Sequence, residues 1–104
     1  MSKNLVNNKH FLALLLSTSK EQALALLYTL TRQQLVLLSE IAFNVLDLPL
    51  PNKAQHYVTK KKKLFERIAS SKTSTAAKRS AIEKHANYIL QVLLALKQQL
   101  SEVQ

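Results

Sequence analysis

Residues 82–103 read IEKHANYILQVLLALKQQLSEV, and apolar side chains recur in this stretch at alternating spacings of four and three. Such a heptad seam places successive apolar residues on one face of an α-helix. It predicts a long C-terminal helix over about residues 75–101, whose seam packs inside the chain or binds a second helix. The seam consists of Ile82, Ala86, Ile89, Leu93, Leu96, Leu100 and Val103.

The remainder of the chain is rich in Leu and Ala and also has helical apolar spacing. It predicts an all-α fold, a compact bundle of about five helices that ends in the long C-terminal helix. At 104 residues, the chain is expected to form a single helical domain over residues 1–104. Residues 1–7 are expected to be flexible. The first four helices are predicted at 8–17, 20–30, 31–47 and 53–70.

The predicted helix boundaries rest on residues other than glycine, because the chain contains none. Helix starts are indicated by a Ser, Thr or Asn that is followed three positions later by Gln, the spacing of a capping box. The three pairs are Ser19 with Gln22, Thr31 with Gln34, and Asn52 with Gln55. Pro49 and Pro51 end the third helix because proline lacks a backbone N–H. The hydroxyl-rich segment SSKTST, residues 70–75, separates the last two helices.

The composition excludes several classes of site. Without Cys there is no disulfide, thiolate nucleophile or Cys-based zinc site, and without Gly there is no Gly-rich phosphate loop. The three histidines, His10, His56 and His85, lack the spacing of metal ligands. No Ser or Glu falls in a recognisable catalytic arrangement. We therefore expect no enzymatic activity, no catalytic residue, no metal and no cofactor.

Positive charge is concentrated in one segment of the chain. The whole chain has 15 Lys or Arg and 6 Asp or Glu, a net charge of +9. Residues 53–84, the basic segment, hold ten basic and two acidic side chains and so carry +8. This density predicts a surface that binds an anionic partner, whether nucleic acid, an acidic protein or a membrane surface; a solvated face without a partner is the alternative. The predicted nucleic-acid-binding residues are Lys53, Lys60, Lys61, Lys62, Lys63, Arg67, Lys72, Lys78, Arg79 and Lys84.

The six aromatic residues fall at helical positions typical of core packing. Tyr57 lies near the lysines and has a second interpretation, in which its ring stacks on a nucleobase. The others are Phe11, Tyr28, Phe43, Phe65 and Tyr88.

Membrane insertion and secretion are not expected. The longest uninterrupted apolar run, residues 11–16, has six residues, whereas a membrane span needs roughly 18. Polar residues interrupt the N-terminal region where a signal peptide would need a longer apolar run. Activity at an anionic lipid surface is a weaker alternative for the basic segment.

The middle of the chain resembles a family of small basic proteins. The similar motifs are SEIAFNVL at residues 39–46, LPL at 48–50, four lysines at 60–63, LFERIA at 64–69, SSKTS at 70–74 and KR at 78–79. They resemble the virion-core-like or minor structural proteins of Maverick/Polinton elements, adintoviruses and related adenovirus-like animal DNA viruses. The similarity covers about residues 24–96. It departs at His85-Ala86-Asn87, which continues a helix here where the family often has glycines.

The resemblance implies a structural role in a virion, or a location in the host nucleus or cytoplasm, with DNA and a viral coat protein as partners. It implies that Glu40 and Asn44 form a signature polar pair at the turn of Pro49. The residues that it places toward DNA are Lys60, Lys61, Lys62, Lys63, Arg67, Lys72, Lys78 and Arg79.

Two functions follow as hypotheses. In the first, the chain is a non-enzymatic viral or transposon-derived structural protein that binds nucleic acid, with DNA as the expected kind, without sequence specificity through a basic helix–loop–helix surface. In the second, it is a helical protein–protein interaction module, a minor capsid protein, adaptor or homo-oligomer. The second hypothesis uses the seam residues Ile82, Ala86, Ile89, Leu93, Leu96 and Leu100.

Overall fold

Seven helices make up most of the part of the chain that the structure, a computed structural model, describes: residues 8–47 and 49–97. They are α1 (Lys9–Ser17), α2 (Lys20–Tyr28), α3 (Arg32–Asp47), α4 (Asn52–Lys60), α5 (Lys62–Ala69), α6 (Thr75–Lys84) and α7 (Ala86–Ala95). The all-α prediction is confirmed, and the described residues contain no strand. The expected count of about five helices is wrong. The predictions for residues 1–7, Leu100 and Val103 lie outside the described residues.

The predicted capping pairs form hydrogen bonds at the starts of α2 and α3. The Ser19 hydroxyl accepts a hydrogen bond from the Gln22 N–H at 3.2 Å. Thr31 and Gln34 form the complete reciprocal box, with side chain to backbone distances of 3.1 and 2.9 Å. These contacts satisfy N–H groups that the first turn of a helix leaves without a backbone partner.

Asn52 does not cap the fourth helix. Pro51, with extended backbone angles, occupies the N-cap position, and its carbonyl accepts from the Gln55 N–H at 2.9 Å. Asn52 is already the first helical residue, so its side chain lies past the position from which it could cap the helix.

The predicted helix over 53–70 is divided at Lys61 into α4 and α5. Lys61 has φ −125° and ψ 44°, outside the helical region, and its N–H reaches the Tyr57 carbonyl at a long 3.4 Å. The Tyr88 hydroxyl donates to that same carbonyl at 2.6 Å. A side chain that competes for a helical carbonyl is a known cause of a bend, so the break depends on a contact from α7.

The predicted long C-terminal helix is likewise divided, at His85, into α6 and α7. His85 has φ −118° and ψ 24°, and α7 ends at Ala95. The expectation that His85-Ala86-Asn87 continues a helix is therefore wrong. The division gives the halves different partners, because α6 packs against α2, α3 and α5 whereas α7 packs against α2 and α4.

The core is a single apolar cluster to which all seven helices contribute, and its most extensive helix pair is α3 with α5. The largest side chains that are less than 2% exposed come from five helices and are Leu15, Leu27, Leu37, Ile82 and Val92. No polar side chain among the described residues is buried. The radius of gyration of 12.4 Å matches the value of about 13 Å expected for a domain of this length.

Every described residue has a negative φ. The connections use extended or bridge conformations instead, as at Thr18 (φ −85°, ψ 175°), Thr29 (φ −128°, ψ 37°) and Ser70 (φ −69°, ψ 131°). A chain without glycine can therefore form these turns without strain.

Candidate nucleic-acid interface

A basic cleft of about 530 Å³ lies between α5 and α6, within the basic segment. Four of its lining side chains are Lys or Arg, one is His, one is Ser and three are apolar. They are Lys61, Lys63, Leu64, Arg67, Ala77, Ser80, Ala81, Lys84 and His85. None of these described residues is acidic, so the cleft is suited to an anion.

Helix geometry explains why these side chains converge. On α5, Lys63 and Arg67 are four residues apart and therefore share a face. On α6, Ser80 and Lys84 have the same spacing. Because α5 packs against α6, the two faces meet across the cleft.

Lys61 and His85, the two residues at which helices bend, lie against each other at the edge of the cleft. The Lys61 ammonium is 3.4 Å from His85 Nδ1 and 4.8 Å from the centre of the Tyr88 ring. An ammonium can only donate, so Nδ1 accepts and the imidazole is neutral with its proton on Nε2. The two bends and the ring of Tyr88 thus form one contact that links the α4–α5 bend to the α6–α7 bend.

The electrostatics of the cleft are visible at His85. Burial lowers the pKa of this imidazole from its ordinary value, and the nearby charges of Lys61, Lys84 and Arg67 lower the pKa further. In contrast, burial raises the pKa of the Tyr88 hydroxyl, as does the neighbouring Tyr57, so Tyr88 stays protonated and donates. The cleft therefore holds an imidazole that resists protonation beside its four basic side chains.

Two of the predicted DNA-binding residues are held in the fold and do not line the cleft. Lys78 donates to the Ser39 hydroxyl of α3 at 3.1 Å. Arg79 donates to the Leu30 carbonyl, between α2 and α3, at 2.5 Å. Both side chains are half-buried, so they connect α6 to earlier helices.

Four other predicted residues are exposed outside the cleft. Lys53 and Lys60 lie on α4, Lys62 begins α5, and Lys72 lies in the loop before α6. They extend the positive surface beyond the cleft. The structure thus brings together Lys61, Lys63, Arg67 and Lys84, and distributes the rest of the predicted set around them.

The described part of the C-terminal seam lies in the core of this chain. Ile82, Ala86, Ile89, Leu93 and Leu96 are all 5% exposed or less. Leu100, the last predicted interaction residue, lies outside the described residues. The use of the seam by a partner stays a prediction, and it would require these five side chains to leave the core.

The aromatic residues do not all follow the core prediction. Phe65 is buried, whereas Tyr28 and Phe43 are more than half exposed. Tyr57 is half-buried and packs edge-on against Tyr88, with the ring centres 5.6 Å apart. Base stacking by Tyr57 stays a prediction.

The remaining polar candidates are dispersed. His10 lies on α1, His56 on α4 and His85 between α6 and α7. Within residues 8–47 and 49–97, no three His, Asp or Glu side chains group as metal ligands do. Glu40 and Asn44 lie one turn apart on α3, both half-buried.

Ser80 and His85 are cleft residues that the sequence reasoning missed as part of the site. A signal was present, since residues 77, 80, 81 and 84 fall on one helical face. Only the pairing of α5 with α6 shows that this face meets Arg67. For His85, the neighbouring bend at Lys61 has no sequence signal of its own.

No single helix in the described part of the chain combines the length and the apolar character that a bilayer crossing requires. Among the described helices, α3 and α4 reach that length and composition when taken together, and the chain bends by 104° between them.

Comparison of the chain with protein-family models, with curated proteins and with solved structures returns no match. The similarity to Polinton and adintovirus proteins therefore stays a prediction.

Proposed function

We propose that this chain is a non-enzymatic structural protein, of viral or transposon origin, that binds DNA without sequence specificity through the surface of α4, α5 and α6. The observation that carries the proposal is the cleft between α5 and α6, where four cationic side chains converge and no lining residue is acidic. Exposed lysines outside the cleft continue the surface and give a duplex several phosphates to contact.

The chemistry supports binding to the backbone of a nucleic acid. Lysine and arginine neutralise phosphates and release condensed counterions, a driving force that depends on charge and is indifferent to base sequence. Sequence is read where side chains reach base edges, most often from a helix in the major groove. The basic residues here extend over two bends and a loop, an arrangement that suits the backbone better than a groove.

The test is duplex binding at two salt concentrations. For four to six phosphate contacts, we expect the affinity to fall roughly 10²- to 10³-fold between about 50 and about 200 mM salt. Two duplexes of unrelated sequence should bind equally. Undetectable binding at the lower concentration, or an affinity that salt leaves unchanged, would contradict the proposal.

A charge-matched pair of variants locates the surface. Lys60→Gln, Lys62→Gln and Lys63→Gln together remove three exposed charges from the basic segment and leave Lys61 at its bend. We expect this triple variant to lose affinity for every duplex and to have a shallower salt dependence. Its control, Lys9→Gln, Lys20→Gln and Lys97→Gln together, removes the same charge from exposed sites on or beside other helices. Equal losses in the two would show a net-charge effect without a defined surface.

A structural role in a virion predicts which molecules accompany the protein when it is purified from its natural source. The sequence motifs that resemble Polinton and adintovirus proteins support this part of the proposal. Purification at low salt should then yield the protein together with nucleic acid, with or without coat protein. Recovery with neither would count against a structural role in a virion.

A further inference from the structure

We propose that the cleft between α5 and α6 is a binding site for a compact polyphosphate, a ligand with two or more phosphate groups that is recognised by its charge. This inference goes beyond sequence-independent DNA binding, because it assigns a bounded site to a small molecule. It shares four cations with the proposed DNA surface, and its test uses a ligand that contains no nucleic acid.

The size of the cleft and the charges on its two walls support a small ligand. Its volume of about 530 Å³ falls within the range of roughly 300–1,000 Å³ typical of small-molecule sites. Cations reach it from both walls, Arg67 on α5 and Lys84 on α6, and from the α4–α5 bend through Lys61. Charges that converge from two walls of an open cleft favour a compact ligand with several charges over an extended strand that touches one wall.

The lining indicates which part of a ligand is recognised. No Phe, Tyr or Trp side chain lines the cleft, and the one ring in its lining, the half-buried His85 imidazole, lies against Lys61, so the lining favours phosphate over a stacked nucleobase. Arg67 offers a planar fork of donors that matches phosphate oxygens, and the lysines add point charges. The Ser80 hydroxyl is a further donor. A nucleoside triphosphate and an inorganic polyphosphate share this recognised chemistry.

His85 makes binding responsive to pH. The charged groups that act on it are Lys61 at the α4–α5 bend, Arg67 on α5 and Lys84 on α6, and Lys61 in turn lies over the ring of Tyr88 on α7. In the empty cleft these three cations oppose a proton on the imidazole. A polyphosphate beside them offsets their charge, so His85 takes up a proton when the ligand binds.

The experiment measures binding of inorganic tripolyphosphate to the full chain by calorimetry, beside ATP and inorganic phosphate. We expect tripolyphosphate and ATP to bind with similar affinity and inorganic phosphate to bind far more weakly. A strong preference for ATP would contradict recognition by charge alone. Absence of tripolyphosphate binding would overturn the site, whereas DNA binding would still stand or fall by its own salt test.

Two charge-matched double variants separate the cleft from general electrostatics. Arg67→Gln with Lys84→Gln removes one cation from each wall and should weaken tripolyphosphate binding roughly tenfold or more. Lys53→Gln with Lys72→Gln removes two exposed charges of the same basic segment outside the cleft and should change it less than about twofold. Circular dichroism of both variants checks that each is folded. Equal effects would overturn the site.

The proton uptake is tested by the pH dependence of the same measurement. Between about pH 7.5 and about pH 6, the affinity of the wild type should rise relative to that of His85→Gln. The titration of the ligand itself is common to both proteins and cancels in the ratio. A ratio that does not change with pH would contradict the role of His85.

Discussion

His85 Nδ1 and the Lys61 ammonium are 3.4 Å apart, so a proton on the imidazole would place two like charges in contact. The pKa of His85 is therefore lower in the folded chain than the value of about 6.5 in the unfolded chain. The folded state then binds fewer protons than the unfolded state. The contribution of neutral His85 to the free energy of unfolding is fully present above about pH 6.5. It is lost as the pH falls through that value toward the folded-state pKa.

The first prediction concerns this pH dependence. Between about pH 7.5 and about pH 5.5, the free energy of unfolding of the wild type should decline, and it should decline less in His85→Gln, which has no proton to gain. Urea unfolding at the two pH values measures the difference. His10→Gln, an exposed site on α1, is the control and should keep the wild-type decline. Equal declines in the wild type and His85→Gln would contradict the assignment.

Lys78 and Arg79 show why the sequence alone cannot assign a role to each basic residue. Charge alone grouped Lys78 and Arg79 with the residues that face DNA. Their partners, the Ser39 hydroxyl and the Leu30 carbonyl, lie 39 and 49 residues away in the chain. No local pattern reports contacts at that separation, so sequence could indicate the positive segment without separating its binding residues from its structural ones.

Some helix boundaries are determined by residues close to them in the sequence, and others are not. α1, α2 and α3 match the predictions within one to two residues, because apolar spacing and capping residues lie within each helix. The bends at Lys61 and His85 were missed because neither has a proline or a glycine to mark it. The Tyr88 hydroxyl at the Tyr57 carbonyl contributes to the bend at Lys61, and that contact exists only in the assembled fold.

The second prediction concerns the stability of α6, whose N-terminus is capped by Ser74. Its hydroxyl accepts from the Ala77 N–H at 3.1 Å and caps α6, one wall of the cleft. Ser74→Ala should lower the free energy of unfolding by about 0.5–2 kcal/mol, measured by urea unfolding. Ser71→Ala, an exposed site in the same loop, should change it by less than about 0.5 kcal/mol. Similar values for the two variants would show that the cap does not stabilise α6.

For the whole molecule, the central question is whether the C-terminal seam belongs to one chain or to an assembly. Its described members are buried without any partner, and α7 packs against both α2 and α4. The apolar periodicity identified core residues correctly here. It could not indicate that the core is built within one chain, because a heptad pattern is the same in an intramolecular bundle and in a dimer.

Alanine variants of the adjacent residues Leu93 and Leu94 test whether the C-terminal seam belongs to the core of a single chain. Leu93 is 2% exposed and Leu94 is 45% exposed. Leu93→Ala should lower the free energy of unfolding by about 2–5 kcal/mol, whereas Leu94→Ala should have a small effect. Because the contacts are intramolecular, both values should be independent of protein concentration. A loss that depends on concentration, with a dimer in sedimentation, would favour the interaction-module hypothesis.

The uniformly negative φ of the described residues has an evolutionary consequence. At the described positions, no connection between these helices requires a residue type that alone tolerates an unusual backbone, so ordinary amino acids can replace one another there without changing the path of the chain. We expect relatives of this protein to vary more at their turns than in the core or at the contact between the two bends. Turn sequences would be poor markers of its ancestry, and the pair formed by Lys61 and Tyr88 would be a better one.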